Sequence, residues 1–140
     1  MRVVVDTNVL IAGVLWNGTP HRIIELAEEG RITLCASPAM LAEFERVLQR
    51  RKFQSRLRLR RTSVEGIMTL LVPLVELYLP STAQGSVPRD PTDEMFIACA
   101  LSADAQFLIS GDDDLLNLKT YGHIRIVNPV EFLREIEDVV

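Results

Sequence analysis

Four acidic side chains of this sequence occupy positions where an acid opposes folding unless it has a function. Asp6 and Asp112 each follow closely on a short apolar run. Glu43 and Asp93 are each spaced from apolar residues as neighbours on one face of a helix are. This spacing places both acids on helix stripes that face a core. No lysine or arginine stands at comparable positions in the sequence. Clustered carboxylates without cations raise one another's pKa values or recruit a metal ion.

Binding of a hard divalent cation is the chemistry that such a set of acids would support. Carboxylate oxygens are the ligands that Mg²⁺ and Mn²⁺ prefer. The two histidines, His21 and His123, lie outside the acidic motifs, and Cys35 and Cys99 lack the CxxC spacing of zinc sites. We therefore expect Mg²⁺ or Mn²⁺ rather than zinc, and we expect both cysteines to be buried, reduced thiols.

Each acid also has a structural explanation that involves no ligand. Asp93 could be the acid of a capping box whose N-cap is Asp90, and Asp112 could cap the turn before the segment LLNL. Glu43 could lie on the flank of its helix, whereas Asp6, at the end of a buried strand, is the hardest to explain in this way. The convergence of all four acids is therefore more informative than any one of them.

Five short apolar runs rich in β-branched residues indicate the strands that would position these acids. The predicted strands are residues 2–5, 32–36, 74–79, 106–110 and 124–127. Helical patterns lie between and after them, at residues 19–30, 37–50, 62–72, 89–103 and 129–137. Strands that alternate with helices in this way predict an α/β fold with a largely parallel sheet and helices on both faces.

The predicted order of elements brings the acids to one edge of the sheet. Ligands of open parallel sheets bind at the carboxyl ends of the strands, which is where we expect Asp6 and Asp112. Asp93 lies near the start of its predicted helix, and a helix over a parallel sheet meets that same edge at its N-terminal end. Within the run of three aspartates, we expect Asp112 in the site, Asp114 as a supporting acid or helix cap, and Asp113 facing water.

The sequence has the size and composition of one soluble globular domain. It has 140 residues, 48% of them apolar and 24% charged, which is sufficient for a single core. No apolar run approaches the ~20 residues of a membrane span. Asp6 and Asn8 interrupt the apolar N-terminus, which we interpret as a strand and turn rather than a signal peptide. We expect a cytoplasmic protein with one domain over residues 1–140.

Positive charge is concentrated in one segment, residues 46–61, which we call the basic segment. The net charge of the chain is −4, yet this segment contains no acid. Such a concentration suggests contact with a polyanion such as an RNA backbone, docking of an acidic protein, or simply a solvated surface. Phe53 is its one aromatic residue, so we expect limited base stacking there. Its basic residues are Arg46, Arg50, Arg51, Lys52, Arg56, Arg58, Arg60 and Arg61.

Four motifs in sequence order resemble those of PIN-domain nucleases. They are the opening VVVDTNVLIAGVL, the mid-chain LAEFERVL, the helix start DPTDEMFIACAL and the strand end FLISGDDDLL. The resemblance covers nearly the whole chain, and the four motifs together are specific although each alone is not. The sequence is similar to small bacterial VapC-like proteins, the toxin components of toxin–antitoxin pairs.

The resemblance implies a three-layer α/β/α sandwich around a five-stranded parallel sheet, and metal-dependent hydrolysis of phosphodiesters, usually in RNA. It implies that one or two Mg²⁺ or Mn²⁺ ions are held by four catalytic acids, Asp6, Glu43, Asp93 and Asp112. Supporting roles are implied for Asn8, which would orient Asp6 or a water molecule, and for Asp90, Ser110 and Asp114. An antitoxin partner and a homodimer are further expectations from the family.

Other proteins with clustered acids fit the sequence less well. A haloacid-dehalogenase-like phosphatase needs a second acid two residues after its first, where this chain has Asn8. A response-regulator receiver needs an acid pair near the first strand and a partner lysine, but the chain has Asp6 alone there and only Lys119 late in its sequence. The non-enzymatic alternative is an RNA- or protein-binding module whose acids hold a structural metal.

Overall fold

A six-stranded, mainly parallel sheet forms the centre of the molecule. The computed structural model describes residues 1–80 and 91–137. Its strands are β1 (Arg2–Val5), β2 (Thr33–Ala36), β3 (Val75–Leu77), β4 (Phe107–Ile109), β5 (Thr120–Tyr121) and β6 (Ile124–Val127). They lie in the spatial order β3-β2-β1-β4-β6-β5. Every neighbouring pair is parallel except β5–β6, so β1 lies inside the sheet between two parallel partners.

The α/β fold with a largely parallel sheet is confirmed, with one strand more than expected. All five predicted strands are present, although the strand predicted over residues 74–79 is shortened to Val75–Leu77. The sixth strand, β5, has two residues, which is too short to produce an alternating sequence pattern. The chain turns from β5 to β6 at Gly122, whose φ of 63° lies in the left-handed region that favours glycine.

Helices connect the strands and cover both faces of the sheet. Ser37 and Ser63 cap two of them by accepting hydrogen bonds from the backbone N–H groups of Met40 and Gly66. The 3₁₀ helix Arg51–Phe53 lies within the basic segment. The α-helices are α1 (Thr7–Leu15), α2 (Thr19–Glu28), α3 (Pro38–Leu48), α4 (Gln54–Leu59), α5 (Val64–Leu71), α6 (Pro91–Ala103), α7 (Asp113–Leu116) and α8 (Pro129–Glu137).

Helix α1 corrects the interpretation of the N-terminus as a strand and turn. It begins directly after Asp6, which is its N-cap, and ends at Leu15. Most of its residues are buried, and polar side chains do not mark an exposed face. A helix that is surrounded by core lacks the 3.6-residue alternation of apolar and polar residues that identifies surface helices. Its sequence therefore gave no periodic signal.

The two faces of the sheet carry separate apolar cores. Successive side chains of a strand point to opposite faces. Val3 and Val5 of β1 belong to a core shared with α1, α2, α3, α5 and α8. Val4 belongs to a second core, shared chiefly with α6. This burial on both sides explains the uninterrupted apolar run of β1 and produces the three-layer α/β/α arrangement.

Within the described residues, no helix is both long enough and apolar enough to cross a membrane.

Candidate active site

Asp6 lies at the carboxyl end of β1 and is held by groups from two strands and a helix. Its backbone N–H donates to the carbonyl of Ile109 at 3.0 Å. Its carboxylate accepts from the Val9 N–H at 2.9 Å, the Ser110 hydroxyl at 2.5 Å and the Gly111 N–H at 3.3 Å. Asp6 therefore caps α1 and at the same time links β1 to the end of β4.

The buried position of Asp6 makes its negative charge unfavourable. Burial raises the pKa of Asp6 above its ordinary value, and the nearby charge of Asp112 adds to this effect. The hydrogen bonds from Ser110, Val9 and Gly111 lower the pKa, but burial and the Asp112 charge together outweigh them. A carboxylate in this environment is stabilised by a neighbouring cation.

A polar cavity of about 480 Å³ opens beside Asp6. It lies at the carboxyl edge of the parallel strands, where ligands of such sheets bind. The helices α1, α3 and α6 contribute side chains to its wall, as does the loop after β4. All four predicted catalytic acids line it, namely Asp6, Glu43, Asp93 and Asp112.

Three aspartates form the tightest acidic cluster in the described part of the chain. Asp93, Asp112 and Asp114 each offer a carboxylate oxygen, and these oxygens lie within 4.8 Å of one another. Asp93 is buried, whereas the other two are exposed. The cluster thus includes Asp114, which the family resemblance placed in a supporting role.

The run of three aspartates begins helix α7. Asp112 is the N-cap, and its carboxylate accepts from the backbone N–H of Asp114 at 3.4 Å. The backbone N–H of Asp112 in turn donates to the Ser110 hydroxyl at 2.9 Å. The N-cap is therefore Asp112, which was the ligand-free explanation considered for this residue, and not Asp114. Asp113 is exposed as expected.

Glu43 lies on α3 with its side chain only 19% exposed, and Phe44 and Val47 on the same stripe are buried. Its carboxylate pairs with the Arg46 guanidinium at 2.5 Å. The expectation that no cation accompanies the acids is therefore wrong, and Arg50, one turn further on, also lines the cavity. The i,i+3 spacing of an acid and an arginine on one helix was the available signal for this pair.

Helix α6 brings Asp93 to the cavity from the opposite layer of the fold. Asp93 is 5% exposed, and Phe96, Ile97 and Ala100 on its stripe are buried. The stripe was predicted to include Leu101 as well, but this residue is 44% exposed. It lies eight residues beyond Asp93, at the edge of the buried face. Asp90 lies outside the described residues.

Two residues of the opening motif differ in their surroundings. Asn8 lines the cavity and is exposed, and within the described residues the side-chain contacts of Asp6 come from Ser110 and the backbone rather than from Asn8. Thr7 was not predicted as a site residue. It also lines the cavity, and its buried Oγ1 has no hydrogen-bond partner among the described residues. The sequence offered no periodic or charge signal for it.

The donors around this cavity fit a hard divalent cation. They are carboxylate and hydroxyl oxygens, which Mg²⁺ and Mn²⁺ prefer. A cation beside Asp6 would offset its burial, and Thr7 supplies an oxygen that has no hydrogen-bond partner among residues 1–80 and 91–137. The three-aspartate cluster provides the closest set of ligands.

A profile of the PIN domain matches residues 2–114, which covers β1 through to the three aspartates. The chain belongs to the PIN-domain family. It is similar to the uncharacterized protein MJ1680 of Methanocaldococcus jannaschii, with 30% identity over 149 aligned positions that cover 100% of this chain and 94% of that protein.

A solved structure has the same fold as this PIN-domain protein. It is VapBC2 from Rickettsia felis bound to a DNA fragment from the promoter of the pair. The TM-score is 0.61, and the match covers 91% of this chain and 98% of that one. Sequence identity is 14%, so the similarity is one of fold.

Individual residues of the basic segment of this PIN-domain protein make different contacts. Arg46 pairs with Glu43, and Arg50 lines the cavity. Arg56 Nε donates to the carbonyl of Leu15 at 2.7 Å, and Arg60 Nη1 donates to the same carbonyl at 3.3 Å. Because Leu15 ends α1, these two arginines stabilise the C-terminal end of that helix. Within residues 1–80 and 91–137, Arg46 is the one member of the segment that forms an ion pair with an acid.

Proposed function

We propose that this PIN-domain protein is a Mg²⁺- or Mn²⁺-dependent ribonuclease, with one nuclease domain spanning residues 1–140. The observation that carries the proposal is the meeting of Asp93, Asp112 and Asp114 within 4.8 Å, in a cavity that Asp6 and Glu43 also line. Five carboxylates from four separate parts of the chain converge there although their charges repel one another, and a bound cation would offset that repulsion.

Asp93 and Asp112, with Asp114 beside them, would hold the cation, and Asp6 and Glu43 would complete its surroundings. A bound Mg²⁺ or Mn²⁺, as one ion or two, supplies a water of lowered pKa and neutralises charge on the scissile phosphate. Glu43 is engaged with Arg46 in the described structure, so it is free for this role only after that pair separates.

The chain's own residues position the reacting groups. Ser110 and the Val9 N–H hold the Asp6 carboxylate in one orientation, so the charge that faces the cavity is fixed before a substrate arrives. Arg50 contributes a positive charge at the cavity wall, where it would attract the phosphate. Phe96 and Val47 form apolar parts of the wall and limit access of bulk water.

RNA is the proposed substrate because the basic segment begins at this cavity. Its arginines and lysine would contact an RNA backbone by charge, independently of sequence. The similarity of fold to the VapC-like partner in VapBC2 supports a toxin role, with an antitoxin protein as partner, in the cytoplasm. A homodimer is part of the same proposal.

A cleavage assay tests the nuclease activity directly. Single-stranded RNA and DNA are incubated with protein in Mg²⁺, Mn²⁺ or EDTA. We expect RNA cleavage with either metal and none in EDTA. Asp93→Asn and Asp112→Asn should each lower the rate by at least about 100-fold, because each removes a charge that would contact the cation. Asp113→Asn changes the net charge by the same amount at an exposed neighbouring position, and its cleavage rate should stay within about twofold of the wild-type rate.

The outcomes separate the proposal from its alternative. Cleavage in EDTA, or full activity of both Asp93→Asn and Asp112→Asn, would contradict a metal-dependent nuclease. Binding of metal and RNA without cleavage under any condition would support the non-catalytic RNA-binding module instead. The toxin role has its own test, since expression of the wild type in a bacterial host should arrest growth and Asp93→Asn should not.

A further inference from the structure

An exposed tryptophan stands among the cations of the basic segment. Trp16 follows the last residue of α1 and is 40% exposed. The Arg56 guanidinium lies 5.2 Å from the centre of its ring. Phe53 meets the same ring edge-on, with 6.3 Å between ring centres. Lys52 Nζ lies 5.2 Å from the centre of the Phe53 ring. We call Trp16, Lys52, Phe53 and Arg56 the Trp16 surface.

We propose that the Trp16 surface binds single-stranded RNA by stacking an unpaired base on Trp16. Proteins that bind single strands combine a positive groove that follows the backbone with aromatic side chains that stack on bases. The sequence placed one aromatic, Phe53, within the basic segment. The fold adds a second, Trp16, from a part of the chain remote in sequence. This inference rests on the proposed ribonuclease function, to which it adds a substrate contact outside the cavity.

Two chain segments link the Trp16 surface to the candidate active site. Arg50 lines the cavity, and the next residues, Arg51–Phe53, lead directly to Trp16. Helix α1 makes the same connection, because Asp6 caps its beginning and Trp16 follows its end. Asp6 and Trp16 are ten residues apart along this helix, and a rise of 1.5 Å per residue separates them by about 15 Å. A stacked strand advances about 3.4 Å per nucleotide, so about four nucleotides would span from the cavity to Trp16.

The contacts of Arg56 order part of the Trp16 surface before a ligand binds. Arg56 is fixed by its hydrogen bond to the Leu15 carbonyl while its guanidinium lies against the Trp16 ring. A side chain held in this way is ordered before a ligand arrives, which lowers the entropy lost on binding. Lys52 is exposed, and in the part of the chain that the structure describes it forms no ion pair with an acid. Its charge is therefore available to a phosphate.

Trp16 is the only tryptophan of the chain, so its fluorescence reports on this surface without a label. The wild type is titrated in EDTA, where no cleavage interferes, with an RNA of about eight nucleotides, within the site sizes of single-strand binders. We expect the single strand to quench the fluorescence. The same RNA annealed to its complement should quench far less, because paired bases are already stacked. A poly-glutamate peptide should leave the signal unchanged.

Variants then assign the affinity to individual side chains, with binding measured by the anisotropy of labelled RNA. Trp16→Ala should weaken binding at least about fivefold, the lower end of the range for loss of one stacked base, while Trp16→Phe should retain most of the affinity. Lys52→Ala should reduce the dependence of log Kd on log salt by about 0.7. Arg134→Ala removes the same charge from an exposed position on α8, outside the basic segment, and should change this dependence less.

The results distinguish this inference from the proposed nuclease function. Unchanged affinity in Trp16→Ala and absence of quenching, with RNA still cleaved in Mn²⁺, would overturn the Trp16 surface and leave the nuclease intact. Equal quenching by duplex RNA would also overturn it, and quenching by the acidic peptide alone would assign the surface to a protein partner. Quenching by single-stranded RNA without cleavage in any metal would support the surface and contradict the nuclease.

Discussion

The buried carboxylate of Asp6 opposes folding whenever it is charged and no cation is bound. Its pKa is raised by burial, so folding favours the neutral form. The raised pKa of Asp6 adds to the free energy of unfolding below the pKa of the unfolded state, 3.8. This contribution is lost as the pH rises through the pKa of the folded state. We therefore expect Asp6→Asn to raise the melting temperature in EDTA at pH 7 by about 3 °C, equivalent to about 1 kcal/mol, while it removes cleavage activity.

The exposed neighbour Asp113 provides the control for this effect, because Asp113→Asn changes the net charge equally without removing a buried charge. Its melting temperature should stay within about 1 °C of the wild type, as is usual for surface substitutions. A lower melting temperature for Asp6→Asn in EDTA would show instead that the Asp6 carboxylate stabilises the fold through its contacts with Ser110 and Val9.

The two cysteines should be inert in the folded protein. Both are free and buried. Burial, as the largest cause, raises the pKa of Cys35 to about 11 and that of Cys99 to about 12. The reactive thiolate is therefore scarce at pH 8. A thiol-reactive chromophore should modify neither residue at pH 8 in the native protein and both in guanidinium chloride. Rapid native modification would contradict the described burial, and absence of modification after unfolding would indicate a disulfide.

At the scale of elements, the strands were predictable and the turns at the site were not. Doubly covered parallel strands leave continuous apolar runs, and strand order then places Asp6 and Asp112 at one edge. Helix α1 left no periodic signal because core surrounds it. The proximity of Asp114 to Asp93 and Asp112 depends on the tight start of α7 after Ser110, and that geometry arises from hydrogen bonds that a sequence pattern does not encode.

The last helix, α8, is tied to α2 by a cluster of charges. Glu137 accepts hydrogen bonds from Arg22 at 2.6 and 3.0 Å and from Arg31 at 3.3 Å. The hydrogen bond from Arg22 is the main cause that lowers the pKa of Glu137 from 4.5. Because the folded pKa is depressed, this stabilisation is present above pH 4.5 and is lost as the pH falls through the folded value. Glu137→Gln should therefore lower the melting temperature at pH 7 and have a smaller effect at pH 3.

Glu28→Gln is the matched control on α2, because Glu28 is exposed and forms no ion pair among the described residues. Glu28→Gln should change the melting temperature little at pH 7 and at pH 3. A loss that appears only for Glu137→Gln, and mainly at pH 7, is therefore due to the Arg22–Glu137 contact. Equal losses for Glu137→Gln at pH 7 and pH 3 would mean that Glu137 acts through packing rather than charge.

At the scale of the whole molecule, a divalent cation should act as a stabilising ligand of the fold. The acids of the candidate site come from the end of β1, from α3, from α6 and from the start of α7, so a bound ion would join both layers of helices across the sheet. A ligand that binds only the folded state stabilises it by about 2.7 kcal/mol at 100 times its Kd. For a chain of this size, that corresponds to a rise of about 10 °C in melting temperature.

Asp112→Asn separates metal binding from the structural role of the same residue. Asparagine caps helices as well as aspartate does, so α7 keeps its N-cap and the melting temperature in EDTA should stay within about 2 °C of the wild type. The rise caused by Mn²⁺ should fall by more than half, because a charged ligand has been removed from the cluster. An unchanged rise would exclude Asp112 as a ligand, and an equal rise in Asp93→Asn as well would place the ion elsewhere on the protein.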